Sequence, residues 1–213
     1  GWVAKAAHAT ALMGLAQALV PALAVDNVAT LYDAVRGAVL DDAAPALQKR
    51  AYGVLERICA CHTAAFALAD ERRDDVTALL MESLLSCGAA AKRCRLRCLT
   101  HLVGGLDLRG NGAHLAMVPT LIGEVMLCTK EANGRARAAA FELLVAIGDA
   151  MAAAGDAARA EGDVAVWRAC VARMTAQLTR ALGMGLDVMT VGDEDADGDG
   201  SGGGGSGSDA GAD

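Results

Sequence analysis

The sequence predicts an all-α fold: a right-handed solenoid of about four helix pairs over residues 1–190, followed by a disordered, acidic Gly/Ser-rich tail over residues 191–213. Three observations carry this. Hydrophobic residues make up 54% of the chain but aromatics only 3%, so its apolar mass is Ala, Leu, Val, Met and Cys, rich in helix formers and poor in strand formers. Breaks of the expected chemistry divide the chain into about eight helical segments. Those segments repeat as pairs.

The first segment, 2–20, ends near Pro21, which cannot continue a helix. It falls within the longest uncharged run, Ala6 to Val25, where His8, Gln17 and Pro21 and an excess of Ala over Leu favour a buried helix over a membrane span. Segments 26–40 and 43–60 begin at Asp26 and Asp42, suitable N-caps. Segments 71–86 and 91–104 follow, and Gly104-Gly105 with Gly110-Asn111-Gly112 marks a loop before 113–128. Asn133 and Asp163 are the expected N-caps of 133–153 and 164–186. The chain opens with Gly1 rather than Met, so a piece of a longer protein is expected.

Self-similarity supplies the pairing. Leu47 to Leu55 can be laid over Cys94 to Leu102, and both over Ala136 to Leu144. A small residue recurs at Ala51, Cys98 and Ala140, with large apolar residues one and four positions on; the spacings are 47 and 42 residues. A fainter copy starts at Val3, placing Ala7 at the small position, 44 residues before Ala51. A period of this length with two helices per unit is that of HEAT or armadillo repeats, whose stacked pairs share one continuous core. The small residues then let neighbouring helices approach, and Thr129 to Gly134 is an inter-repeat turn.

Net charge is -7, but seven of the 26 acids lie in residues 193–213, leaving 19 against 19 Lys and Arg in the helical part. The acidity belongs to the tail, and no global charge argument bears on nucleic acid. The local pattern is more telling. The superposition places Arg93 with Arg135, Arg95 with Arg137 and Arg50 with Arg97, with Lys49 and Lys92 beside them. On stacked repeats these eight bases form a ladder along one edge, suited to an RNA backbone or to acidic partner segments. The competing use is structural, each base meeting an acid or carbonyl of a neighbouring repeat. Arg135 and Arg137 open a helix, where the macrodipole disfavours cations unless an anion meets them. No aromatics interleave the bases, which argues against a single-strand stacking platform.

Three stretches also resemble a known family: LQKRAYGVLERIC (47–59), KRCRLRCLTHLV (92–103) and EVMLCTKEANGRARAAAFELLVAIG (124–148). They are similar to the ribosomal RNA-processing protein 12 family, large nucleolar HEAT-repeat proteins. The run Leu127 to Glu131, then the basic helix start and Phe141 to Val145, is the most specific part, and the resemblance covers roughly residues 45–155. It departs from the family pattern over 62–76, over Gly104 to Gly112, and after Gly155. The resemblance implies a non-catalytic scaffold in ribosome biogenesis, supporting pre-rRNA processing, maturation of mainly small-subunit pre-ribosomes and their nuclear export. It implies pre-ribosomal particles and rRNA as partners, with the Ran GTPase and nuclear-pore repeats, and a nucleolar and nuclear location with shuttling to the cytoplasm. The rival reading is a HEAT or armadillo nuclear-transport adaptor that binds only proteins.

Other constellations carry less. The seven cysteines sit mostly in apolar helical stretches and are expected to be free and reduced. Cys59-Ala-Cys61-His62 and Cys94, Cys98, His101 lack the spacing of a structural zinc site, and no base-orienting residue supports a Cys-His nucleophile. Asp193, Asp195, Asp197 and Gly198 imitate the start of an EF-hand loop, but Gly204 stands where its bidentate Glu belongs. No P-loop, dinucleotide fingerprint or catalytic triad stands out. The expectation is a protein that is not an enzyme, with no cofactor, metal, small-molecule substrate or membrane partner.

Overall fold

The computed structural model describes residues 2–109, 111–162 and 164–194. Among them are the helices α1 (Trp2–Leu19), α2 (Val25–Leu40), α3 (Pro45–Cys61), α4 (Arg73–Ser86), α5 (Lys92–Gly104), α6 (Gly112–Cys128), α7 (Gly134–Glu161) and α8 (Ala165–Glu194), and no strand. A short 3-10 turn, Val20–Ala22, and a π-turn, Thr63–Ala67, complete the order.

Alternate helices stack. α1 packs on α3, α3 on α5 and α5 on α7; α2 packs on α4 and α6 on α8. The odd and even rows meet where α2 crosses α3 and α6 crosses α7. Buried residues from both rows form a single apolar cluster. Two polar contacts put the starts of α3, α5 and α7 on one edge. The Gly88 N–H, just before α5, donates to Gln48 Oε1 in the first turn of α3 at 2.8 Å, and Lys92, the first residue of α5, pairs with Glu131 just before α7. Gln48 is wholly buried and also donates from Nε2 to the Val39 carbonyl at 3.1 Å, so one amide ties the end of α2 to both helix starts.

The small positions are buried, as their spacing implies. Ala51, Cys98 and Ala140 are all fully buried on α3, α5 and α7, as are Tyr52, Leu55 and Leu99, with Leu102 close behind. Phe141, the matching residue on α7, is 53% exposed. α3 and α5 each have a following odd-row helix packed against them, whereas no odd-row helix follows α7 among the described residues.

Helix ends follow the local chemistry, with corrections. Asn133 caps α7 as expected, its side chain accepting from the N–H groups of Arg135 and Ala136 at 3.0 and 3.2 Å. Asn111 caps α6 in the same way. Asp26 and Asp42 are not N-caps. Ala24 holds that position for α2, and Asp26 lies inside the first turn, where its charge faces the positive end of the dipole. Ala44 holds it for α3, because Pro45 presets the first helical residue; Asp41 braces the preceding turn by accepting from the Ala43 N–H at 3.0 Å. Asp163 lies outside the described residues.

α7 runs past 153 to Glu161 and stops at Gly162, whose φ of +79° is the left-handed conformation glycine adopts without strain. Gly155 permits close contact with α8: a Cβ there would lie 2.5 Å from the Trp167 ring. Trp167 Nε1 in turn donates to the Met151 carbonyl at 3.1 Å. By length and composition α7 could also cross a membrane, a test that buried core helices pass as well. In α6, Pro119 has no N–H for the Leu115 carbonyl, which accepts instead from Cys170 Sγ on α8 at 3.4 Å. α8 continues beyond 186 to Glu194, so residues 191–194 extend a helix; the remainder of the expected tail, 195–213, lies outside the described residues.

Enlarging a small contact residue tests the packing. Ala140→Leu is expected to cost about 1–3 kcal/mol by overpacking α5 against α7, and Asn133→Ala about 1 kcal/mol through the lost cap. Urea denaturation followed by circular dichroism reads both; an Ala140→Leu midpoint equal to the parent's would mean that α5 and α7 are not in close contact.

Candidate nucleic-acid interface

The edge that gathers the starts of α3, α5 and α7 has a distinctive charge. None of these three helices carries an acid in its first turn. Of the even helices, α2 has Asp26 there and α4 has Asp74 and Asp75, whereas α6 and α8 have none. Each helix N-terminus carries about half a positive charge, although at α7 the Asn133 side chain already accepts from the Arg135 and Ala136 N–H groups. On the odd edge, bases are added to that charge.

The eight bases of the ladder divide by environment. Lys49, Arg50, Arg93, Arg135 and Arg137 are exposed. Arg137 Nη1 donates to the Glu131 carbonyl at 2.8 Å, which accounts for one of the two arginines at the start of α7. Lys92 is half-buried against Glu131, and Arg97 on α5 pairs with Glu56 on α3 at 3.0 Å. These two brace neighbouring helices while keeping part of their surface in solvent.

Arg95 does not belong to the ladder. It is 1% exposed, with Nε donating to the Leu80 carbonyl of α4 at 2.7 Å and Nη2 in contact with Glu124 of α6. Burial pushes the Glu124 carboxyl up, and the neighbouring guanidinium offsets that only in part. The superposed Arg137 is exposed because the layers differ locally. α4 and α6 are not close-packed neighbours, so the Arg95 guanidinium fits between them, whereas α6 and α8 lie side by side.

Helical spacing carried a signal for this pair. Arg95 falls on the stripe of Ala91, Cys98, Leu99 and Leu102, all buried. Glu124 is the only acid in α6 and lies among Leu121, Val125 and Cys128. Two lone opposite charges on apolar stripes point to each other. Arg57 was also passed over; it is exposed on α3 two turns beyond Arg50, on the same face.

Five of the seven cysteines are buried, Cys94 is half-buried and Cys61 is exposed. All seven cysteines are free. Cys98 lies beside Cys59, and its thiol is pushed well up, first by burial and then by that neighbour. Burial, with Glu56 nearby, pushes Cys94 up to about 11. Such thiols stay protonated at neutral pH and act as small apolar groups. The ring of His62 lies 2.9 Å from the Val20 carbonyl, joining the end of α3 to the 3-10 turn. Among the described residues no three His, Cys, Asp or Glu side chains gather as they would around a metal ion.

Removing one partner of the buried pair leaves the other charge uncompensated, so Arg95→Ala is expected to cost about 3–5 kcal/mol. Arg95→Met combined with Glu124→Leu should recover most of that loss. Thermal unfolding of the parent, the single variant and the double variant checks both; a double variant as unstable as the single one would contradict the pairing.

No protein-family model matches the chain. Three curated relatives do. The chain is 39% identical over 140 residues to the RRP12-like protein of Homo sapiens, covering 65% of this chain and 10% of that protein. It is 42% identical over 105 residues to the RRP12-like protein of Gallus gallus, and 30% identical over 105 residues to Ribosomal RNA-processing protein 12 of Saccharomyces cerevisiae. Each of these two matches covers 49% of this chain and 8% of the relative. The chain thus spans about a tenth of the length of the curated relatives it matches. Over a segment, its sequence resembles the ribosomal RNA-processing protein 12 family.

Proposed function

We propose that this chain is part of a non-catalytic scaffold in ribosome biogenesis, and that its odd-row edge holds ribosomal RNA by the phosphate backbone. One observation carries the RNA contact: Lys49, Arg50, Arg93, Arg135 and Arg137 are exposed where three helices without first-turn acids begin side by side. Oriented N–H groups and guanidinium groups suit phosphate oxygens, and each phosphate neutralised releases counterions. The names of the relatives, RRP12-like protein and Ribosomal RNA-processing protein 12, supply the ribosomal setting.

The alternate stacking of helices supports a HEAT-like, right-handed solenoid as the architecture of this scaffold. Its partners are pre-ribosomal particles, mainly small-subunit precursors in maturation and export, with the Ran GTPase and nuclear-pore repeats as further contacts. Its place is the nucleolus and nucleus, with passage to the cytoplasm. The protein-only adaptor reading uses the same edge for acidic peptide segments.

RNA binding measured across a salt series separates the two. RNA affinity is expected to fall with a log-log slope of about 0.7 per phosphate contacted on a single strand. Arg93→Ala and Arg135→Ala should each weaken binding uniformly across RNA sequences and lower the slope by about one. RNA affinity indifferent to both variants, with tight binding of an acidic peptide, would establish the adaptor reading instead.

A further inference from the structure

We infer that the cleft between α1, α3 and α5 is a binding site for one unpaired nucleotide of an RNA strand held on the basic edge. This inference rests on the RNA reading above and deepens it. The cleft has a volume of about 390 Å³ and is lined by Gln17, Glu56, Arg57, Arg97 and His101, within the range of about 300–1,000 Å³ typical of small-ligand sites. Small residues make the room. Gly14, Ala18, Gly53 and Ala60 line it, and the Gln17 amide lies so close over Gly53 that a Cβ there would come within 3.2 Å of it.

The cleft continues the edge. Arg57 lies two turns along α3 from Arg50, and Arg97 one turn along α5 from Arg93, so bases lead from the helix starts into the cleft. The lining chemistry suits a base more than a bare anion. Arg97 is held at 3.0 Å by Glu56, yet its side chain keeps 43% exposure, so a donor and an acceptor are fixed side by side at the wall. Gln17 supplies an amide, which can both donate and accept. His101 is half-buried, and that burial lowers its pKa, favouring the neutral ring with one donor and one acceptor nitrogen. Arg57 brings an exposed charge for the adjoining phosphate. An unpaired base presents both donors and acceptors on its edge, whereas a base within an A-form duplex cannot enter a cleft. A peptide carboxylate would meet Glu56 at the same wall.

Ala60→Leu fills the cleft without altering charge, and its site is exposed, so folding should be retained. Titration of the 213-residue chain with a fluorescent oligouridylate is expected to show about tenfold weaker binding for this variant, with an unchanged salt slope and unchanged affinity for duplex RNA. Arg57→Ala should weaken oligouridylate binding and also reduce the slope. Photocrosslinking of 4-thiouridine in the oligomer should label residues 53–60 and 97–101. Parent-like oligouridylate binding by both variants, with crosslinks only at the helix starts, would overturn the cleft while leaving the RNA edge standing. Failure of the unsubstituted chain to bind any RNA would overturn both, and displacement of an acidic peptide alone would assign the cleft to protein.

Discussion

Arg95 is the residue on which the arrangement turns. The even row falls into two blocks, α2 with α4 and α6 with α8, and the Arg95 guanidinium spans the space between them from α5. Taking a guanidinium and a carboxylate out of water costs several kcal/mol for each ion, so the site persists only because the Leu80 carbonyl and Glu124 satisfy it together. The same constraint sets the rotation of α5. Residues two positions either side of Arg95 lie about 200° around the helix, so burying Arg95 turns Arg93 and Arg97 outward. A structural charge on one face thereby sets the available charges on the other.

The outward face acquires its character from the stacking. Helices packed side by side run about 8–10 Å apart, comparable to the screening length of about 8 Å at physiological salt. The three helix starts and their bases therefore act on an approaching polyanion together. Partial compensation comes from Glu131 against Lys92 and Glu56 against Arg97, while Lys49, Arg50, Arg93, Arg135 and Arg137 stay exposed. On the RNA reading proposed above, such an edge would select polyanions without selecting sequence, and the neighbouring cleft would add donors and acceptors that a base edge can use.

Much of this was legible in the sequence because periodicity reports burial. The recurrence of Ala51, Cys98 and Ala140 identified buried positions of the odd row, and Asn133 was readable as a cap from its place before a basic helix start. The first turns of α2 and α3 were read less well, because an acid near a helix start serves the dipole without being the cap, and because Pro45 sets its own starting point. The ladder was legible as a set of positions and not as a set of environments. Repeat equivalence placed Arg95 with Arg137, but their surroundings depend on whether two even-row helices touch, a tertiary fact that repeat spacing does not carry. The cleft was not legible, since its lining comes from three helices separated by tens of residues.

Hydrogen–deuterium exchange of the chain, alone and saturated with RNA, reads out which helix starts meet the RNA. Simultaneous protection of the first turns of α3, α5 and α7, with α2 and α4 unaffected, is the expected result. Protection centred on the even row, or no change at saturation, would contradict it.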